Sequence, residues 1–252
     1  MNPARDEGVD LEINGIEMHV ALRGDGEPLL LLHGGGGAGV NWKGIFDAPA
    51  EGFRFVIPDL RGHGGTTNPS GQFSIRQCAR DVLGMADRLS IDRFKAIGVS
   101  LGAKTLLHVA TLQPQRVTAM VVVSATPYFP EQARSAMAAL TPETRSEAEW
   151  AQMRSWHRHG DDQILAIWRS MRELKDSHTD MAFTPPLLAT ISARTLIVHG
   201  DRDPLYPVEL GVELYRSIPN AALWIVPNGG HGPIFGASAP RFAETALAFL
   251  KE

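Results

Sequence analysis

Short apolar runs alternate with longer stretches of helical periodicity along this chain of 252 residues. Most of the runs are apolar throughout, which is typical of strands buried on both faces of a parallel sheet. Eight runs are candidate strands: residues 11–13, 18–22, 29–32, 53–57, 94–99, 117–124, 195–199 and 222–226. Asn14-Gly15 between the first two predicts a hairpin turn. The pattern predicts an α/β fold with one open, twisted, mostly parallel eight-stranded sheet flanked by helices.

A second pattern interrupts this alternation in the middle of the chain. Three helices are predicted between or after strands, over residues 74–88, 101–112 and 241–250. Residues 130–191, in contrast, contain no convincing strand and read as several helix-like segments rich in Trp and Met. We therefore expect a helical segment of residues 130–191, with an apolar underside, inserted into a core made of residues 1–129 and 192–252.

The composition excludes several classes of partner. Lys and Arg number 24 against 28 Asp and Glu, so the net charge is −4 and no basic field would attract nucleic acid or anionic lipid. No apolar run approaches the roughly 20 residues needed to cross a bilayer, and the first ten residues do not resemble a secretory signal. Cys78 is the single cysteine. We expect a cytoplasmic protein with no nucleic-acid or membrane partner.

Residues 98–102 (GVSLG) carry the sharpest chemical signal, because they lie where a predicted strand meets a predicted helix. A serine on such a tight turn presents its hydroxyl at the carboxyl end of the sheet and at a helix N-terminus. Ser100 is therefore the candidate nucleophile. The glycines on either side are required where a side chain would clash with the neighbours of the turn.

A serine hydroxyl needs a base, and the base needs an acid to orient it. His231 is the candidate base, because it follows the last apolar strand in a glycine-rich loop. Asp201 and Asp203 follow the preceding strand, and either could be the acid. The histidines of the helical insertion, at positions 157, 159 and 178, are expected to face solvent.

A glycine-rich loop, residues 33–37 (HGGGG), follows the apolar run 29–32. Two backbone N–H groups about 2.7–3.1 Å from a developing oxyanion would stabilise it. We expect one donor at Leu101, next to the nucleophile, and the other in this loop. A phosphate-binding loop is the alternative, but the run matches neither G-x-x-x-x-G-K-[ST] nor G-x-G-x-x-G.

Together these motifs resemble the α/β-hydrolase superfamily over essentially the whole chain. The motifs that carry the resemblance are His33-Gly34, residues 59–64 (DLRGHG), residues 98–102, residues 200–207 and Gly230-His231. The resemblance implies an α/β-hydrolase fold in which residues 130–191 form the cap that lines the substrate pocket. It also implies a structural role for the loop at residues 59–64, so Asp59 and Arg61 are assigned no chemistry.

The resemblance also selects among the candidate site residues. In the superfamily the acid commonly lies three residues after a glycine and four before a proline. That spacing from Gly200 and Pro207 favours Asp203 over Asp201. The second oxyanion donor maps to Gly35, with Gly36 as the alternative because the four consecutive glycines blur the register.

Within the superfamily, Ser100 argues against haloalkane dehalogenases and epoxide hydrolases, which carry aspartate at that place. The motifs are most similar to those of bacterial carboxylesterases, perhydrolase-like esterases and enol-lactone or acyl-lactone hydrolases. Carbon–carbon bond hydrolases often have an aromatic residue where this chain has Gly232, so they are a less favoured alternative. A ligand receptor that retains the three residues without turning over substrate is the non-enzyme alternative.

The resemblance therefore implies a serine hydrolase that acts on small, largely apolar esters or lactones, with no metal and no cofactor. The aromatic side chains that we expect in the pocket are Trp42, Phe129, Trp168 and Phe235. Ester and lactone hydrolysis need the same catalytic residues, so the sequence leaves both open. It also leaves open the natural substrate and the oligomeric state.

Overall fold

The computed structural model describes residues 7–252, in which the eight expected strands form one sheet. The strands are β1 (Glu7–Ile13), β2 (Ile16–Arg23), β3 (Glu27–Leu32), β4 (Phe53–Pro58), β5 (Phe94–Val99), β6 (Val117–Val123), β7 (Arg194–Gly200) and β8 (Ala221–Val226). Their spatial order is β1-β2-β4-β3-β5-β6-β7-β8. Strand β2 is antiparallel to both β1 and β4, and all other neighbours are parallel. The predicted fold class is confirmed.

Eight α-helices accompany the sheet in the described part of the chain. They are α1 (Ile75–Arg88), α2 (Leu101–Leu112), α3 (Glu131–Ala138), α4 (Glu147–Trp156), α5 (Gly160–Glu173), α6 (Pro185–Leu188), α7 (Val208–Ser217) and α8 (Ala239–Lys251). Helix α1 begins as expected, since Ser74 Oγ accepts a hydrogen bond from the Gln77 N–H at 3.1 Å. Within residues 7–252, none of these helices combines the length and apolarity needed to span a membrane.

Alternate side chains of β3 enter two different hydrophobic cores. Leu30 and Leu32 pack with α1, α2 and α7 on one face, and Leu29 and Leu31 pack with α8 on the other. All four leucines are fully buried, and each contributes about 1.5–3 kcal/mol of burial free energy. The uninterrupted apolar run thus reflects a strand covered on both faces. It anchors the glycine-rich loop that follows it.

Helices α3 to α6 lie between β6 and β7, and this part of the chain contributes no strand to the sheet. We refer to residues 130–191 as the inserted segment. It has a small apolar cluster of its own, formed by Met153, Ile164, Ile167 and Trp168. The indole of Trp150 meets that of Trp168 edge to face, with ring centroids 4.5 Å apart. This packing gives α4 and α5 a fixed arrangement.

Two buried carboxylates fasten the loop at residues 59–64. Asp81 accepts two hydrogen bonds from the Arg61 guanidinium, at 2.7 and 2.9 Å. Asp59 accepts the backbone N–H groups of Gly39 and Gly65, at 2.6 and 2.8 Å. These contacts join the loop at residues 59–64 to Gly39 and to helix α1. Asp59 and Arg61 thus make structural contacts of the kind that the resemblance implies.

Candidate active site

Ser100 occupies a strained turn between β5 and α2. Its φ of 50° and ψ of −105° lie in a region that residues with a side chain rarely adopt. The glycines on either side of the turn, Gly98 and Gly102, are required because a side chain at either position would clash with neighbouring backbone. A Cβ on Gly98 would lie 2.6 Å from the backbone of Gly102, and a Cβ on Gly102 would lie 2.2 Å from Leu32 O. The close approach of α2 to the end of β5 therefore requires Gly98, and its close approach to the end of β3 requires Gly102.

His231 bridges Ser100 and Asp203 by two hydrogen bonds. Its Nε2 lies 2.9 Å from Ser100 Oγ, and its Nδ1 lies 2.8 Å from Asp203 Oδ2. The second carboxylate oxygen, Oδ1, accepts the N–H groups of Leu205 and Tyr206 at 2.8 and 3.1 Å. The structure thus brings together the three side chains singled out in the sequence, from the ends of β5, β7 and β8.

The loop after β7 separates the two candidate acids. Asp203 points inward and its side chain is fully buried, whereas Asp201 is exposed. Burial alone would raise the pKa of Asp203. The hydrogen bond and charge interaction with His231 and the two backbone N–H donors outweigh burial and hold that pKa below its ordinary value. Asp203 is therefore a carboxylate suited to orient an imidazole.

Ser124, which the sequence analysis did not single out, holds the loop that carries His231. It follows β6, has a φ of 50°, and accepts the Gly232 N–H on its Oγ at 2.9 Å. Its own N–H donates to Val198 O at 2.9 Å. A serine directly after an apolar run at the carboxyl end of the sheet was the available signal.

The glycine-rich loop places Gly35 beside the helix that starts after the nucleophile. A Cβ built on Gly35 would lie 3.8 Å from the Cβ of Leu101. The N–H of Gly36 is already donated to His63 Nε2, at 3.1 Å. The N–H groups of Gly35 and Leu101 have no protein acceptor among residues 7–252. Gly35 is therefore the donor that this geometry favours over Gly36.

A buried lysine lies beneath the Asp203–His231 pair, and the sequence analysis missed it. Lys104 Nζ donates to Tyr206 Oη at 2.7 Å and stands 5.3 Å from the centre of the Phe129 ring. The pKa of Lys104 is lowered to about 7, because the effect of burial exceeds the opposite effect of the Asp203 charge. The Tyr206 ring in turn meets the His231 imidazole edge to face at 5.3 Å. Tyr206 thus packs one face of the base.

The imidazoles of His33, His63 and His157 form a buried cluster next to the glycines of the glycine-rich loop. The ring centroids of His33 and His63 are 5.2 Å apart, and those of His63 and His157 are 6.0 Å apart. The expectation that His157 faces solvent is wrong, because its side chain is buried between the inserted segment and the core. His159 and His178 are exposed, as expected. Burial lowers the pKa of His33 to about 4 and that of His63 to about 3.

This imidazole cluster makes folding stability depend on pH. An unfolded histidine has a pKa near 6.5. Between about pH 6.5 and 4, His33 and His63 are therefore protonated in the unfolded chain but stay neutral in the folded protein. The free energy of unfolding should therefore fall by about 1.4 kcal/mol per pH unit for each imidazole as the pH drops through that window. Urea unfolding at pH 7.5, 6 and 5 measures this fall.

The control for this prediction is the exposed His178, since His178→Gln should leave the slope unchanged. An unfolding free energy that stays constant from pH 7.5 to 5 would contradict the neutral state of the cluster.

A cavity of about 580 Å³ opens above Ser100 and His231. Three of the four expected aromatic residues line it: Trp42, Trp168 and the half-exposed Phe235. The expectation for Phe129 is wrong. Its ring packs between the Lys104 ammonium and the Arg134 guanidinium, away from the cavity.

The cavity lining is not apolar throughout, because α4 and the residues before it place charged side chains at one end of the cavity. Arg145 and Glu149 line the cavity there and form an ion pair at 2.9 Å, next to Gln152. In the described residues, no three His, Cys, Asp or Glu side chains are grouped as metal ligands.

Two protein families match parts of this chain. A family described as "alpha/beta hydrolase fold" matches residues 27–148, which include the glycine-rich loop and Ser100. A second family, described as "TAP-like protein", matches residues 177–252, which include Asp203 and His231. The two matches together cover strands β3 to β8 and leave β1, β2 and residues 149–176 outside them.

Among curated relatives, the 2-hydroxy-6-oxo-6-(2'-aminophenyl)hexa-2,4-dienoic acid hydrolase of Metapseudomonas resinovorans is 23% identical, over 94% of this chain and 88% of the relative. The pimeloyl-[acyl-carrier protein] methyl ester esterase of Nitrosomonas europaea is 26% identical, over 86% of this chain and 93% of the relative. A soluble epoxide hydrolase of Corynebacterium sp. is 37% identical, over only 39% of this chain and 34% of the relative.

Solved structures with the same fold cover nearly the whole chain. The enol-lactonase from Burkholderia xenovorans LB400 superposes with a TM-score of 0.77 at 22% identity, over 97% of this chain and all of the other. A meta-cleavage product hydrolase from Pseudomonas fluorescens IP01 gives a TM-score of 0.78 at 21% identity, over 97% of each chain. At these identities the likeness concerns the fold.

Proposed function

Because this chain belongs to the α/β-hydrolase superfamily, we propose that it is a serine hydrolase that cleaves small carboxylic esters through an acyl-enzyme. The observation that carries this proposal is the continuous line of hydrogen bonds from Ser100 Oγ through His231 to Asp203. That line ends at the floor of a cavity large enough for a small ester.

In the first half-reaction, His231 Nε2 takes the hydroxyl proton of Ser100 while Oγ bonds to the ester carbonyl carbon. The carbonyl oxygen becomes an oxyanion that accepts hydrogen bonds from the N–H groups of Gly35 and Leu101. When the tetrahedral intermediate collapses, the bond to the leaving oxygen breaks and His231 gives that oxygen its proton. The acyl group stays on Ser100.

In the second half-reaction, water enters the place left by the alcohol. His231 takes a proton from the water as its oxygen bonds to the acyl carbon, and a second oxyanion forms at the same two donors. Collapse breaks the bond to Oγ, returns the proton to Ser100 and releases the carboxylic acid. Asp203 stays ionised and stabilises the imidazolium in both halves.

The cavity favours an acyl or alcohol group of modest size with an apolar surface. Its walls near the nucleophile are formed by Trp42 and Trp168, with Met153 and Met171 beside them. The inserted segment supplies three of these four side chains, so we assign residues 130–191 as a cap over a core of residues 1–129 and 192–252. The proposed partner is thus a small-molecule ester, and the cytoplasm is the proposed location.

Lactone hydrolysis is the second candidate, since an enol-lactonase shares this fold over the whole chain. Two relatives are named as a hexadienoic acid hydrolase and a meta-cleavage product hydrolase, which keeps carbon–carbon bond hydrolysis as a further alternative. Gly232 stands where the carbon–carbon hydrolases often have an aromatic residue, so we rank that alternative lower. A serine at position 100 argues against epoxide opening.

A substrate panel tests the proposal. The purified protein should turn over p-nitrophenyl acetate or butyrate many times, with kcat in the ordinary enzyme range of about 1–10³ s⁻¹. Lactones of matched carbon number run in parallel separate esterase from lactonase by their kcat/KM. Release of about one equivalent of p-nitrophenol followed by a stall would instead indicate a receptor. No reaction with any ester or lactone would contradict the proposal.

A further inference from the structure

Both backbone polar groups of Gly36 are bonded to imidazoles that come from different parts of the chain. The Gly36 N–H donates to His63 Nε2 in the core, and the Gly36 carbonyl lies 3.1 Å from His157 Nε2 in the inserted segment. We propose that His157 is a positioning residue that, by holding Gly36, fixes the loop whose Gly35 N–H binds the oxyanion. This inference rests on the proposed function and extends it from the core into the inserted segment.

The hydrogen-bond partners fix the protonation state of both rings. His157 Nδ1 accepts the Gly64 N–H at 2.8 Å, so its proton is on Nε2 and is donated to the Gly36 carbonyl. His63 Nδ1–H donates to Arg61 O at 2.9 Å, which leaves Nε2 to accept from Gly36. Each ring is therefore neutral and in one tautomer, and Gly36 is held on two sides.

The loop needs such support because residues 34–37 are all glycines and have no side chains to hold them. The Gly37 N–H donates to Gly34 O at 3.0 Å, which closes a turn with Gly35 and Gly36 at its centre. Gly36 adopts a left-handed φ of 75°. Glycines lose the most backbone freedom on ordering. The bond from His157 holds the Gly36–Gly37 peptide plane. The N–H of that plane donates to Gly34 O, which lies in the same peptide plane as the Gly35 N–H, so the orientation of Gly36 is passed to the Gly35 N–H.

His157 is itself fixed by its place at the end of α4. Its N–H donates to Met153 O at 3.0 Å, and the residue is only 4% exposed. A second contact joins the inserted segment to the same loop, since a Cβ on Gly35 would lie 2.7 Å from Met171 Sδ. The inserted segment thus both covers and orients the loop.

Two conservative substitutions separate the two hydrogen bonds of His157. An asparagine places its polar atom where Nδ1 lies, so His157→Asn keeps the Gly64 contact and loses the Gly36 contact. A glutamine reaches the place of Nε2, so His157→Gln restores the bond to Gly36. We expect His157→Asn to lower kcat for p-nitrophenyl butyrate by about 10–100-fold, less than the 10²–10³ typical of deleting an oxyanion donor, with KM changed less than about threefold. His157→Gln should recover most of that loss.

A transition-state analogue gives the readout that a purely structural role would not move. An alkyl boronic acid forms a tetrahedral adduct with Ser100, and its affinity should fall in His157→Asn by the same factor as kcat. His178→Asn, at an exposed histidine elsewhere in the inserted segment, is the matched control and should leave all constants unchanged. Urea unfolding midpoints should be equal for the Asn and Gln variants.

Several outcomes would overturn the proposal. They are an unchanged kcat in His157→Asn, an equal loss in the Asn and Gln variants, or a lower kcat with unchanged boronic-acid affinity. If His157→Asn does not fold, His63→Asn removes the other bond to Gly36 and must give the same loss. Failure of the proposed function is distinguishable, because an active Ser100→Ala variant would report it directly.

Discussion

The Ser100→Ala variant is expected to lose ester hydrolysis by roughly 10³–10⁶ in kcat while remaining folded. The hydroxyl oxygen is the atom that we propose bonds to the substrate, and within residues 7–252 no other hydroxyl takes part in the hydrogen bonds of His231. Residual rate should come only from the oxyanion donors and substrate binding. Steady-state hydrolysis of p-nitrophenyl butyrate measures the loss, and a fluorophosphonate probe should fail to label the variant.

A glycine at the same position provides the matched control. Ser100 has a φ of 50°, which costs a residue with a Cβ on the order of 1–3 kcal/mol. Ser100→Gly should be as inactive as Ser100→Ala but more stable to urea by about 1 kcal/mol, because glycine adopts this φ freely. Wild-type activity in either variant would remove the nucleophile from Ser100.

Replacing Asp203 by asparagine is expected to cost about 10⁴ in kcat, the size of effect seen when an orienting carboxylate of this kind is made neutral. The amide is nearly isosteric, so the Leu205 and Tyr206 N–H groups keep an acceptor. It cannot, however, stabilise the imidazolium on His231, and its NH₂ group favours the wrong tautomer of the ring. The measurement is kcat over pH 6–9 with the same ester.

Asp201→Asn is the paired control, since Asp201 is exposed on the same loop. It should retain activity within about twofold. If the two variants lost activity in the reverse order, the acid would be Asp201 and the hydrogen bond to His231 would have no catalytic role.

The sheet and most helices could be predicted because the strands are covered on both faces, which leaves runs such as residues 29–32 without polar residues. Helix α7 could not, because its interior contains Gly211. In the structure a Cβ there would lie 3.1 Å from the His199 ring, so close packing on β7 required the glycine. Gly211 argues against a helix in the sequence, but it is present because of a tertiary contact with β7.

The candidate site was predictable in its order and in its place at the strand ends, because parallel strands end at one edge of the sheet. The burial of particular side chains was not. His157 directly follows α4, between Trp156 and Arg158, and nothing in that stretch indicates that its ring bonds to Gly64 and Gly36. Lys104 is similar, since nothing near it in the sequence indicates that Tyr206 lies opposite.

The contact between His157 and Gly36 bears on how new substrate ranges could arise in a chain of this architecture. Exchanging residues 130–191 for the corresponding stretch of another hydrolase would renew the part of the pocket wall that α4 and α5 form, while leaving the nucleophile, base and acid in place. Such a chimera would also discard the imidazole that reaches the glycine loop. An exchange that preserves position 157, and the end of α4 that carries it, should yield active chimeras more often than one that replaces the stretch whole.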